Sequence, residues 1–233
     1  VDLEHLQHLL RLPEYQGRLR IGSFSAASNV TGMRSPTREI ATLLHAHDAY
    51  ACFDYAASAP YVEIDMNPAP DAAGGDASYD AVFLSPHKFL GGPGSSGVLV
   101  FNERLYSRDL PPSVAGGGTV DYVSPLDQDF IADIEEREKA GTPGVLQTMK
   151  AALAMDLKQK IGVERIEARE HELLRRAMPQ WSANERFELL GNPDPARRIG
   201  IVSFNLREPR GRYLHPKFVT VLRNDLFCIQ SRA

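Results

Sequence analysis

No stretch of this sequence approaches the roughly 18 to 20 consecutive apolar residues that a membrane-spanning helix needs. The opening Val1-Asp2-Leu3-Glu4-His5 lacks the basic-then-apolar order of a secretory signal. No membrane partner is expected, and a cytoplasmic setting is the default. Basic surplus is missing too. A formal charge of −4 and a pI near 6.0 give no positive field for a phosphate backbone, so no nucleic-acid partner is expected and small soluble partners are favoured. Cysteine is scarce: Cys52 and Cys228 stand far apart without metal-ligand spacing. Each lies in an apolar, strand-like run, Ala51-Cys52-Phe53 and Phe227-Cys228-Ile229, so both are expected to pack in the core rather than act as nucleophiles. No metal site is expected. Internal repeats are absent, and the one biased tract, Asn67 to Ser78, rich in Pro, Ala, Gly and Asp, reads as a surface excursion.

What is present suits a folded chain. With 233 residues, 43% of them apolar, it can bury a core, as one large domain or a domain plus a small appendage. Leu3, Leu6, Leu9 and Leu10 give an amphipathic helix over Asp2 to Leu12. A strand over Leu19 to Ala27 runs into the polar loop Ser28-Asn29-Val30-Thr31-Gly32. Ser35 is placed to cap a helix opening with Pro36 and burying Ile40, Leu43 and Leu44. A second strand spans Tyr50 to Tyr55. Strand, helix, strand with short joints is the βαβ unit of a parallel sheet, whose functional groups gather at the carboxyl ends of its strands. Ala81 to Leu84 and Gly97 to Phe101 extend the sheet. A helical stretch from Gly144 to Ala177, broken near Gly162, places Val145, Met149, Leu153 and Leu157 on its buried face. Strand (Ile201, Val202, Phe204), helix (Pro216 to Asp225) and strand (Leu226 to Gln230) follow, as a smaller α+β lobe would. The domains are read as 1–160 and 161–233.

Polar groups close three successive strands: Asn29, Asp54, and Ser85, His87 and Lys88. Each alone is bland, since a lysine after a strand is usually solvated and an aspartate there usually makes a turn. Together they suit imine chemistry. That chemistry needs an amine that sheds its proton near neutral pH, which a neighbouring cation such as His87 promotes, and a carboxylate facing a pyridine nitrogen.

Five motifs agree in order: Ser28-Asn29-Val30-Thr31-Gly32, Phe53-Asp54-Tyr55-Ala56-Ala57, Ser85-Pro86-His87-Lys88, Gly116-Gly117-Gly118-Thr119 and Ala140-Gly141-Thr142-Pro143. With that order and spacing the chain resembles the class V aminotransferases, the fold-type I branch that holds cysteine desulfurases, selenocysteine lyases and the sulfurase domain of molybdenum-cofactor enzymes. The resemblance covers most of residues 20 to 160. It implies an α/β fold, a fold-type I large-domain segment with a mostly parallel sheet flanked by helices, plus part of a small α+β C-terminal domain. It implies pyridoxal 5′-phosphate as cofactor, Lys88 as the Schiff-base lysine, Asp54 as partner of the pyridine nitrogen, and Ser85 and His87 as phosphate contacts. Asn29 would touch the ring hydroxyl or the substrate carboxylate, and the glycines at 116 to 118 would line the entrance. Thr142 would reach the phosphate of the other subunit, which implies a homodimer with shared active sites.

The expected activity acts on a small amino acid, as a cysteine desulfurase- or selenocysteine lyase-like enzyme or an aminotransferase. A kynureninase-like or C–S lyase, or a non-catalytic module that keeps the fold, is the alternative. The desulfurases commonly read Asp-Gly-Ala-Gln where this chain has Asp54-Tyr55-Ala56-Ala57, so the glutamine that bonds the ring oxygen is absent. The resemblance implies relatives of about 400 residues, so a fragment is expected, without the N-terminal phosphate loop, the aromatic or histidine side chain that stacks on the ring or a desulfurase's catalytic cysteine. Arg232 is a further candidate near that missing loop.

Three other features carry less. Gly92-Pro93-Gly94-Ser95-Ser96-Gly97 has the letters of a dinucleotide fingerprint but precedes a strand instead of opening a helix. His45 and His47, two apart on a helix, make a poor metal pair. The run Asp133 to Lys139 and the basic stretch from Arg207 to Lys217 read as solvated surface.

Overall fold

The computed structural model of the chain describes residues 1–70 and 74–233. Helix α1 (Leu3–Leu10) starts where the Asp2 carboxylate accepts the His5 N–H at 3.0 Å, satisfying a donor the first turn leaves free. Strand β1 (Arg20–Ser25), helix α2 (Thr37–His45) and strand β2 (Ala49–Asp54) form the expected βαβ unit, with β1 and β2 parallel and Ser25 opposite Asp54. Strand β3 (Ala81–Leu84) adds in parallel, setting Phe83 opposite Asp54, and β4 (Val98–Phe101) closes the sheet antiparallel to β3. The sheet order is β1-β2-β3-β4.

The alternation of a pleated strand decides what this sheet covers. Ala51, Phe53 and Val82 are buried with Ile40, Ala41 and Leu44 of α2 in one core cluster, and Tyr79 lies 4.6 Å from Phe53 between ring centroids. On the opposite face Ile21, Phe83 and Leu99 are 59%, 44% and 52% exposed. Parallel sheets are ordinarily covered on both faces; here one face is open, and Asp54 belongs to it by register.

Beyond the sheet, β5 (Val120–Val123) and β6 (Gln128–Phe130) pair antiparallel and lead into the short helix α3 (Ile134–Arg137). Helix α4 (Val145–Ile161) and helix α5 (Val163–Ser182) are separated at Gly162, whose φ of +91° ends the first. Strands β7 (Phe187–Leu189) and β8 (Phe204–Leu206) form a second antiparallel pair before α6 (Pro216–Phe227). No helix among the described residues is long and apolar enough to cross a membrane.

Several local expectations are corrected. The Ser35 hydroxyl donates to the Ser25 carbonyl at 2.7 Å, tying the loop to the end of β1, and α2 starts at Thr37 without a side-chain cap. In α4 the buried residues are Ala151 and Ala154, while Val145, Met149, Leu153 and Leu157 are exposed, Leu153 at 65%. That helix is apolar around most of its girth, so periodicity does not choose a face; the alanines permit the closer approach. The strand expected over Leu226 to Gln230 does not form. Helix α6 continues to Phe227 and stops on Cys228, left-handed with φ 53°, whose N–H bonds the Asn224 carbonyl at 2.9 Å. Cys228 is therefore exposed, whereas Cys52 is buried. Arg137, expected on a solvated face, is buried with its guanidinium 5.1 Å from the Phe130 ring. The surface excursion from Asn67 to Ser78 lies in part, at 71–73, outside the described residues.

At the amino end of β3 sits a buried carboxylate. Asp80 is fully buried and accepts from the Ala51 N–H at 2.7 Å and from Arg104 Nε at 2.5 Å, with His45 Nε2 at 2.9 Å. His45, the last residue of α2, thus pairs with the residue before β3, and this cluster occupies the end of the strands opposite Asp54 and Lys88.

Candidate active site

Lys88 is presented by a turn whose anchors are apolar. Pro86, Phe89 and the start of the turn fix it: Pro86 and Phe89 are buried, and the Lys88 N–H bonds the Ser85 carbonyl at 3.0 Å in a 3₁₀ turn over Pro86–Lys88. With both flanks pinned inward, His87 and Lys88 point to solvent and are exposed. Ser85 is half-buried and its hydroxyl makes no cap bond. Among the described residues, the side chains of Ser85, His87, Lys88 and Asn29 have no hydrogen-bond or ion-pair partner.

Gly92 sets the spacing of that turn. A Cβ there would stand 1.9 Å from the Pro86 carbonyl oxygen, so the backbone after Lys88 folds back onto the turn at a distance only glycine allows. Gly92→Ala is expected to cost about 1 to 3 kcal/mol, as overpacking does, read as a lower urea midpoint. A variant as stable as the parent would show that the turn yields without strain.

Asp54 ends β2 on the open face because its neighbour is held inward. Tyr55 is buried, its N–H bonds the Phe83 carbonyl at 3.0 Å, and its hydroxyl joins those of Tyr79 (3.2 Å) and Thr37. Burial, foremost, drives the Tyr55 phenol far above its usual range, so it stays neutral. Asp54 Oδ1 accepts from the Ala56 N–H at 2.7 Å, and no cation pairs with the carboxylate among the described residues. Ala57, in place of the relatives' glutamine, packs half-buried against the core.

Asn29 is exposed at the tip of its loop, beyond the end of β1. The structure therefore brings Asn29, Asp54, Ser85, His87 and Lys88 to the carboxyl ends of three adjacent parallel strands, which pack about 4.8 Å apart. Thr142 lies elsewhere, exposed in the loop before α4, and that loop is tied to the glycine motif by the Gly141 N–H on the Gly117 carbonyl at 2.7 Å. Arg232 is exposed in the irregular segment after α6.

Two cations, half-buried Lys158 and buried Arg198, support this rim and carry no motif. Lys158 of α4 donates to the Ala59 and Val62 carbonyls, each at 2.6 Å, and its Nζ lies 5.7 Å from the Phe89 ring centroid. It links the turn after Asp54 to the residue after Lys88, and burial lowers its pKa. Arg198 is 1% exposed and donates to the Thr31 carbonyl at 2.7 Å, bracing the Asn29 loop. The signal for Lys158 was a lysine in line with Ala151 and Ala154; for Arg198 it was a charge abutting the apolar run from Ile199.

Known proteins match most of this chain. The family model described as Aminotransferase class-V matches residues 2–224. A probable cysteine desulfurase of Halalkalibacterium halodurans is 30% identical over 215 residues, which is 92% of this chain and 48% of that protein. One from Staphylococcus aureus is 34% identical over 191 residues, 82% of this chain and 43% of that protein. An apo cysteine desulfurase structure from Thermococcus onnurineus superposes with a TM-score of 0.78 at 26% identity, over 97% of this chain and 51% of that one. The chain thus spans about half the length of the relatives it matches. With the family match running from the first helix to the last, this chain belongs to the class V aminotransferase family, whose members are pyridoxal-phosphate enzymes of the cysteine desulfurase-like fold.

Proposed function

We propose that the chain holds pyridoxal 5′-phosphate through Lys88 and acts on a small amino acid, in the manner of a cysteine desulfurase or of an aminotransferase. The observation that carries this reading is the convergence of Lys88, Asp54 and Asn29 at the carboxyl ends of β3, β2 and β1. The donor set suits the group: an uncommitted amine, a carboxylate without a cationic partner, and an uncommitted hydroxyl, imidazole and amide. When bound, pyridoxal phosphate supplies a sink for the electrons released at the substrate Cα. In this reading the Lys88 amine is first the anchoring nucleophile and then, once free, takes or returns the proton at Cα. Asp54 holds the proton on the ring nitrogen. Ser85 and His87 bind the phosphate, and Asn29 orients the ring hydroxyl or the substrate carboxylate. Thr142, in a loop with no bond to the Lys88 turn among the described residues, suits service to the second subunit of a homodimer.

The desulfurase reading draws on the relatives, which are probable cysteine desulfurases. Cys52 does not serve it as a sulfur carrier, because burial, foremost, and the nearby Asp80 raise its thiol pKa. A second reading, a module that keeps the fold without turnover, is favoured by the exposure of Lys88, His87 and Asp54 to solvent. Titration with pyridoxal phosphate separates the two. A visible absorbance band should appear, and borohydride should fix the label on Lys88, located by peptide mass mapping. Label scattered over the other lysines with no preference for Lys88 would support the module.

A further inference from the structure

We infer that Arg198 is a positioning residue that fixes the Asn29 turn at the rim of the sheet, an assignment that rests on the role proposed above for Asn29. Three consecutive carbonyls of the loop are taken by one segment of the C-terminal lobe. The Ser203 hydroxyl donates to Val30 O, Arg198 Nη2 donates to Thr31 O at 2.7 Å, and the Ile199 N–H donates to Gly32 O at 2.8 Å. From within, the Ser28 hydroxyl accepts the Val30 and Thr31 N–H groups at 3.2 and 3.0 Å, and Ser28 O accepts the Gly32 N–H at 2.9 Å. Gly32 adopts φ +74°, and a Cβ there would stand 2.1 Å from Ile201 O. Almost every backbone polar group around Asn29 is therefore committed, while its own amide is free to meet a ligand.

Arg198 is the costly part of this clamp. Among the described residues it is a buried cation with no carboxylate partner: its other acceptors are Asn192 O at 3.0 Å and Ile201 O at 2.7 Å, and its Nε has none. Burying a charge among neutral carbonyls is expensive, and an apolar side chain would fill the space at less cost. What the guanidinium provides is a planar fork that joins carbonyls of three chain segments in one geometry, which a point donor such as lysine does not. An amide that must meet a ring oxygen needs placement to about 0.5 Å, and that placement comes from the groups supporting it.

The test uses the 233-residue chain and two variants, Arg198→Met and Ser203→Ala. The second removes only a hydroxyl on the partly exposed segment, and so decides the matter if the first does not fold. Hydrogen exchange is read without cofactor. Both variants should speed exchange of the Thr31 and Gly32 amides at least roughly tenfold while the β2 amides stay protected. With pyridoxal phosphate, Arg198→Met should weaken binding at Lys88 by about tenfold, the lower end for supporting residues. That loss should vanish in the Asn29→Ala background, because a residue acting through Asn29 cannot add to its removal. Unchanged exchange in both variants, or binding losses that add fully with Asn29→Ala, overturns the assignment. If the unmodified chain does not label Lys88, the functional reading fails, and the exchange data still uphold or overturn the clamp.

Discussion

Lys88→Ala should abolish the borohydride-fixed pyridoxyl label on the mapped Pro86 to Phe89 peptide and lower any turnover by on the order of a thousandfold or more. The chain has five other lysines, at 139, 150, 158, 160 and 217, and their environments explain why none substitutes. Lys158 spends its ammonium on two carbonyls inside the fold, and Lys160 pairs with Asp156 at 2.6 Å. Lys139, Lys150 and Lys217 lie on other elements, without an aspartate and an asparagine converging from adjacent strand ends. Folding should survive the change, because the turn is held by buried Pro86 and Phe89 and by backbone bonds, not by the exposed Lys88 side chain. An unchanged thermal midpoint with loss of the label separates chemistry from stability. Persistence of the visible band in Lys88→Ala, with label moved to another lysine, would show that the rim does not select this amine.

Much of this rim could be read from the sequence because strands β1 to β3 are short apolar runs that stop at polar residues. Where Phe53 gives way to Asp54, and Leu84 to Ser85, strand alternation and the βαβ connection leave little freedom in where the polar groups go. The faces of apolar elements were less legible. Helix α4 has alanines on one side and Met149, Leu153 and Leu157 on another, so no single stripe announces its buried face. The run Leu226 to Ile229 is short enough to suit strand or helix, and the backbone settled it by closing α6 on a left-handed Cys228. Arg198 and Lys158 escaped for a different reason. Their partners are main-chain carbonyls of distant segments, which no side-chain pattern records.

Asp80→Ala should destabilise the chain by about 3 kcal/mol at neutral pH, the largest stability effect expected of a single polar side chain here. The Ala51 N–H would lose its acceptor in the core, between β2 and β3, and His45 Nε2 would lose its carboxylate partner while Nδ1 keeps Asp76. Arg104 is 42% exposed in its side chain, so its share of the loss is discounted for solvent screening. The same network gives the parent an acid limb. Burial alone would raise the Asp80 carboxyl, but the Arg104 bond, the Ala51 N–H and His45 outweigh it and hold the group below its ordinary value. A depressed folded pKa means the unfolded chain binds the proton first on acidification. Asp80 therefore contributes its full stabilisation above the ordinary carboxylate range, about pH 4, and loses it as pH falls through the folded value. Urea midpoints of the parent should drop over that window, and those of Asp80→Ala should start lower and drop less. Equal midpoints at neutral pH, or parallel acid limbs, would remove Asp80 as the cause. Because this cluster sits at the amino end of the strands, Lys88 should label normally in the variant while it is folded, so a stability loss with intact labelling distinguishes the two ends of the sheet.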